Sequence, residues 1–202
     1  MSTMDIGRRP GEEETVPTPS RVFLAAPYSQ WMSPAGGLEP VWRTRIDAIR
    51  TALLDLDAEV FNAHHNEAWG SDWLDASVCT PVDFTAMRQC DVVCAIVGDP
   101  PSGGVAVELG WASALGKPVL LVLSPSASCS PLIIGLGTVT RVDQLDQPSL
   151  WHPEDIAEIA ERTVKLVGGT ETAPTGRPPD DVIERHLAFC SREACRHEAV
   201  TG

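Results

Sequence analysis

Two carboxylates and a small polar turn carry the chemistry in this sequence. They are Glu108, Asp83 and Ser102-Gly103-Gly104. The turn Asp99-Pro100-Pro101-Ser102-Gly103-Gly104 falls where an apolar run gives way to a helical pattern. Exposed N–H groups and the positive end of a helix dipole at such a junction favour an anion. Ser102 has two readings there, a hydroxyl donor to a phosphate or a cap of the helix, and Gly104 leaves the backbone open to close approach. Glu108 follows in the same helix, among Val107, Leu109 and Ala112 and the small residues Ala106 and Gly110. Its plain reading is a solvated carboxylate serving the dipole. Those neighbours instead predict a buried side chain, and a buried carboxylate needs a partner or a task. The dipole would keep it ionised, as suits a nucleophile. Asp83 is expected in the first turn of its own helix, where dipole stabilisation is again the plain reading. A carboxylate pair about one glycosidic bond divides into nucleophile and proton donor.

Other clusters are weaker. His64-His65 with Glu67 invites a metal, but the spacing is poor for zinc. His186, Cys190, Cys195 and His197 match no standard zinc spacing. Neither a metal nor another cofactor is expected. Tyr28, Trp31 and Trp69 fall in loops at strand ends, where a ring either stacks on a base or covers the sheet.

These residues must be positioned by a parallel α/β core. Asp91–Val97 and Pro118–Leu123 are near-continuous apolar runs joined through a turn and a helix, the pattern of a β-α-β unit. Arg21–Ala26 reads as the first strand and Ala58–Asn62 as the second. Thr138–Val142 is a candidate fifth strand. Glu39–Asp57 reads as an amphipathic helix with Val41, Ile46, Ile49, Leu53, Leu54 and Leu56 on one broad face. Thr80-Pro81 predicts a helix start, with Thr as cap and Pro at the first position. Pro153–Val167 predicts a last core helix, Gly168–Pro179 a linker, and Asp180–His197 a terminal helix. The expected division is a disordered arm over 1–20, a catalytic domain over 21–168, and a linker with a helical tail over 169–202.

Bulk properties narrow the partners. With 202 residues and a formal charge of -13, neither a nucleic-acid polymer nor an anionic membrane surface is expected as partner. One nucleotide remains compatible, because local backbone donors can hold a single phosphate. No apolar run approaches the roughly twenty residues that span a bilayer. The N-terminus places Arg8 and Arg9 before Glu12-Glu13-Glu14 without an apolar signal core, and six scattered cysteines read as reduced thiols, so the expected location is cytoplasmic.

Several motifs together resemble a known family. VFLAAPYSQ, NAHHNEAWG, Asp83 eight residues before DVVCAIVGD, and SGGVAVELGWASALGKPV are similar to the nucleoside 2-deoxyribosyltransferase-like superfamily. Within it they look most like the CMP and hydroxymethyl-CMP N-glycosidases of nucleoside-antibiotic pathways. The likeness covers about residues 21–142. It implies a five-stranded, flavodoxin-like parallel sheet with helices on both faces, and a homodimer with shared active sites. It implies that Glu108 attacks C1′ to give a glycosyl-enzyme, while Asp83 assists proton delivery to the leaving base. Phe23, Tyr28 and Ser29 match base-pocket positions. Ser102 matches a serine that holds the 5′-phosphate, and Ser130 falls near a phosphate-binding serine supplied by the adjacent subunit. Where hydroxymethyl-CMP enzymes carry Arg, this chain has Ser29, which leaves the base open. The expectation is a nucleoside 5′-monophosphate N-glycosidase. The alternatives are a nucleoside 2-deoxyribosyltransferase and a non-catalytic nucleotide sensor.

Overall fold

A computed structural model describes residues 19–125, 128–168 and 176–187. The expected N-terminal arm through residue 18, most of the linker, and Cys190, Cys195 and His197 lie outside the described residues. The chain runs β1 (Arg21–Ala25), α1 (Pro40–Asp55), β2 (Glu59–Phe61), α2 (Ala63–Asn66), α3 (Ala76–Gln89) and β3 (Val92–Ile96). It continues through α4 (Gly103–Ala114), β4 (Val119–Leu123), α5 (Pro131–Ile134), β5 (Val142–Asp146), α6 (Pro153–Lys165) and α7 (Asp180–His186). All strand pairs are parallel, in the order β2-β1-β3-β4-β5. This is the doubly wound α/β sheet that the sequence predicts.

Every residue of β3 and β4 is buried, which is why their sequences, VVCAI and VLLVL, are unbroken apolar runs. Their alternation divides the core in two. Leu24, Cys94, Ile96, Leu120 and Val122 pack with Ile46, Ile49 and Leu53 of α1 and Ile156 and Ile159 of α6. Phe23, Val93, Ala95, Val119 and Leu121 pack with Met87 of α3 and Val105, Leu109 and Ala112 of α4. Val41, Leu54 and Leu56 lie outside the buried stripe of α1 and are exposed. Among the described residues, no helix is long and apolar enough to cross a membrane.

Two expectations shift. The fifth strand begins at Val142 rather than Thr138, because Leu136–Thr138 forms a 3-10 turn. This strand, VDQLD, is a half-exposed edge, so its residues carry little apolar signal. Asp143 within it is held by Arg162 of α6. The second shift concerns Thr80-Pro81, which does not start a helix. Instead α3 begins at Ala76 and passes through Pro81. Proline removes one helical N–H, which frees the carbonyl of Ser77. Ser77 is exposed, so water can take that role. Asp83 therefore sits mid-helix, and dipole stabilisation in a first turn does not account for it.

The strand order reverses between β1 and β3, whose following helical layers lie on opposite faces. A crevice opens at the carboxyl ends of such strands. Two loops border it, and they are tied together. The Gln30 side-chain amide donates to the carbonyls of Pro100 (3.3 Å) and Pro101 (3.1 Å). Gly98, with φ of 85°, abuts Pro27 so closely that an added Cβ would lie 2.5 Å from the proline Cγ. Gly98→Ala should therefore destabilise the fold by roughly 1–3 kcal/mol, read as a lower urea midpoint. An unchanged midpoint would show that the two loops separate freely.

Candidate active site

The crevice is a cleft of about 190 Å³ with contributions from four segments. Tyr28 and Ser29 follow β1. Ala63, His64 and Glu67 follow β2. Cys79 and Asp83 come from α3, and Ser102, Gly104, Val105 and Glu108 from the start of α4. Residues spread over most of the domain thus share one wall because parallel strands end on one side.

Glu108 lies one turn beyond the first turn of α4, where the dipole field has weakened. Its Oε2 is buried and has no hydrogen-bond partner among the described residues. Burial pushes this carboxyl up to about 8, with the nearby Asp83 charge adding to the rise. The expectation that the dipole keeps Glu108 ionised is therefore corrected. Removing a carboxylate from water outweighs a terminal dipole, whose effect is typically 0.3–1 kcal/mol. Asp83 is also raised, to about 6, first by burial and then by the charge of Glu67. Carboxyls with such mutual influence titrate as a group, and at neutral pH the pair retains one proton, favoured on Glu108.

Ser102 is the N-cap of α4. Its Oγ accepts from the N–H of Val105 at 3.4 Å, and its own proton stays available to an anion. Both readings of Ser102 are compatible with this geometry, because capping uses a lone pair and anion binding uses the O–H.

The opposite wall is aromatic. Tyr28 stacks on His64 with centroids 4.4 Å apart and receives the edge of Trp73 at 4.8 Å. Its hydroxyl donates to Glu67 Oε2 at 3.2 Å. Burial, then Glu67, drives the Tyr28 hydroxyl well above the usual phenol range, so it remains protonated. His64 is buried, which lowers its ring to about 4 and keeps it neutral, against the opposing effect of its hydrogen bond to the Pro27 carbonyl. As a neutral ring, His64 donates from Nε2 to the carbonyl of Pro27 at 2.9 Å and presents Nδ1 to the Asn62 amide at 3.4 Å. Asn62 also donates to the carbonyl of Leu24 at 3.0 Å. His64 is a strut between the ends of β1 and β2.

Not every predicted residue joins the cleft. Glu108, Asp83, Tyr28, Ser29, Ser102 and Gly104 do. Phe23 does not: strand alternation turns it into the core, where it stacks on Phe61 at 5.1 Å. Ser130 caps α5, accepting from Leu132 N–H at 3.3 Å, and lines a separate cavity beside Ala106 and Gly110 of α4. Cleft residues that sequence reasoning passed over are Trp73, Leu74 and Cys79, together with His64 and Glu67, which it weighed only as metal ligands. Cys79 precedes Asp83 by one helical turn, a spacing that places both on one face.

The family model for nucleoside 2-deoxyribosyltransferase matches residues 35–166. The solution structure of BlsM is 32% identical, with a TM-score of 0.61, covering 78% of this chain and 97% of that one. The structure of Clostridium botulinum CMP N-glycosidase, BcmB, is 29% identical, with a TM-score of 0.53, covering 71% of this chain and 98% of that one. A conserved protein from Enterococcus faecalis V583, 19% identical with a TM-score of 0.51, shares the fold, over 72% of this chain and 99% of that one. No curated protein matches the chain.

The buried Glu108 carboxyl links stability to pH. Its proton is retained in the folded chain between the ordinary value of 4.5 and about 8, whereas the unfolded chain releases it. Stability therefore falls as pH rises through that window, and the penalty is absent below it. Glu108→Gln should raise the melting midpoint at pH 9 by roughly 3–8 °C and leave it unchanged near pH 4, measured by thermal unfolding. An equal gain at both pH values would contradict a desolvated carboxyl.

Proposed function

The chain belongs to the nucleoside 2-deoxyribosyltransferase family, and from that premise we propose that it hydrolyses a nucleoside 5′-monophosphate to free base and sugar 5-phosphate. One observation carries this reading. A carboxyl with a buried, partnerless oxygen stands beside a second carboxyl and below a helix N-terminus with an available hydroxyl. In support, a structural neighbour over most of the chain is named as a CMP N-glycosidase.

The residues divide the work as follows. The 5′-phosphate lies at the start of α4, on Ser102 and the N–H groups of Gly103 and Gly104. That places C1′ of the sugar at Glu108. The working form of the pair carries one proton; the cleft by itself favours it on Glu108, and reaction requires its transfer to Asp83, which leaves Glu108 as carboxylate and Asp83 as acid. Glu108 attacks C1′ while the bond to the base breaks, and the base leaves with the proton from Asp83. Water then attacks C1′ of the glycosyl ester, Asp83 takes a proton from that water, and Glu108 leaves as carboxylate, so the configuration at C1′ is retained. A transferase would instead admit a second base at this step. The Ser102-Gly103-Gly104 turn, with its room for a phosphate, favours the nucleotide reading. We place the activity in nucleotide salvage or in nucleoside-antibiotic metabolism, within the cytoplasm.

The test is chromatographic detection of free base from a panel of nucleosides and their 5′-monophosphates. Release from a monophosphate is expected, with Glu108→Ala lowering turnover at least about 1,000-fold while the fold persists. Base exchange between nucleosides would establish the transferase instead. Tight binding without release, unaffected by Glu108→Ala, would establish a sensor.

We further propose that the working unit is a homodimer. Among the described residues no lysine or arginine lines the cleft, so a phosphate meets no cation from them there. Beside α4, Ser130 lies outside its own chain's cleft and lines a surface cavity with the exposed apolar residues Leu132 and Val139. A subunit docked on that surface would supply Ser130 to its neighbour. Glu108→Ala and Ser130→Ala subunits, unfolded and refolded together, should then recover activity, since one site of each mixed dimer holds both native residues. Activity equal to the average of the two separate variants would oppose shared sites.

A further inference from the structure

The cleft holds a third carboxylate that the hydrolytic step does not use. Glu67 is only 6% exposed, yet it lines the cleft. Its Oε2 accepts from the Tyr28 hydroxyl at 3.2 Å and faces the Leu74 N–H at 3.5 Å. Among the described residues nothing donates to Oε1. The Tyr28 proton is already committed to Glu67, so Glu67 and Tyr28 together present lone pairs to this corner of the cleft. Aromatic surface frames it, since Tyr28 is backed by His64 and edged by Trp73.

Glu67 follows β2, Tyr28 follows β1 and Glu108 lies in the helix after β3, and β1 stands between β2 and β3 in the sheet. Glu67 therefore lines the cleft on the β2 side, held by Tyr28, across from Glu108 and Ser102 of α4. A nucleotide anchored by phosphate at Ser102, with C1′ at Glu108 and its leaving nitrogen at Asp83, extends its base toward Glu67 and Tyr28. The edge that arrives there is the one farthest from the sugar, which carries the substituent on C4 of a pyrimidine or C6 of a purine.

We propose that Glu67 reads this substituent and selects bases with an amino group there, the 4-aminopyrimidine and 6-aminopurine nucleotides, over their oxo counterparts. This rests on the N-glycosidase reading and narrows its substrate class. A carboxylate only accepts hydrogen bonds. An exocyclic amine donates to Glu67, whereas a carbonyl sets acceptor against acceptor in a site shielded from water. Sites that hydrogen-bond a substrate N–H discriminate strongly against analogues lacking it, because the buried partner is left unsatisfied. Ser29 lies on the same wall and offers only a hydroxyl, so the charged group available for reading the base here is Glu67.

The experiment compares kcat/KM for CMP against UMP and for AMP against IMP, pairs that differ at that one substituent. The amino member of whichever pair is turned over should lead by at least about 100-fold. Glu67→Gln keeps a carbonyl for the Tyr28 hydroxyl and adds an NH2 donor, so the preference should drop at least tenfold, with the oxo substrate gaining in absolute rate. Tyr28→Phe should slow both members while the preference persists, which separates reading the base from supporting the wall. Equal rates within both pairs, or a Glu67→Gln preference like that of the native chain, would overturn the proposal. Calorimetric affinities for the four nucleotides on Glu108→Ala give the same ratios without turnover. If no base is released from any of them, the glycosidase reading fails, and these affinities alone decide whether Glu67 selects the amino group.

Discussion

A carboxyl held out of water without a counter-charge is the constraint on which this molecule turns. Glu108 has a buried oxygen that no donor among the described residues reaches, and a second carboxyl raises it further. A structural ion pair would have placed a lysine or arginine here, which would lower the carboxyl and make the site inert. The charge is instead left to be met by something that enters the cleft. In the proposed hydrolysis an electron-poor sugar carbon meets that need, since attack at C1′ disperses the negative charge into a new bond. The strain is tolerable because it is confined to the end of a sheet whose interior is tightly packed.

That confinement depends on the loops at the carboxyl edge. His64 joins Pro27 to Asn62, Asn62 reaches Leu24, and Gln30 grips the turn before α4. On the other side of the first loop, Trp31 stacks on Trp42 at 3.8 Å, Trp42 meets the edge of Trp151, and Arg45 lies over both of the latter rings. Cation–π contacts of this kind are each worth about 0.5–1 kcal/mol or more, depending on desolvation. The segment that carries Tyr28 and Ser29 is thus clamped between the cleft and an aromatic cluster on the opposite face. Its side chains arrive preorganised, as a site built on rigid elements requires.

Structural relatives span nearly their whole length on this chain, so the shared unit is the sheet and its cleft rather than a fragment. Within that unit, the proposed reading makes substrate choice depend on the few groups that would face the base. Here Ser29 is short and neutral, while Glu67 is charged and fixed by Tyr28 and the Leu74 N–H.

Much of the scaffold was legible in the sequence, because β3 and β4 are covered on both faces and must be apolar at every position. The same logic placed α4 after a strand and Glu108 near its start. The edge strand β5 was misplaced, since one open flank lets VDQLD be polar. Pro81 misled because its sequence neighbours do not reveal that Ser77 faces solvent. Phe23 lies one residue from Leu24, yet strand alternation sends the two to opposite faces, and Phe23 serves the core instead of the cleft.

The sequence by itself determined the layered α/β architecture and the placing of Glu108 shortly after a Ser-Gly-Gly helix start, because periodicity and local caps act over a few residues. Tertiary structure decided the rest. It brought Glu67, distant in sequence from Ser102, into the same cleft, since parallel strands all end on one side. It also reversed the expected ionisation of Glu108, because desolvation depends on what surrounds a carboxyl in space, whereas the dipole that the sequence reveals weakens after one turn.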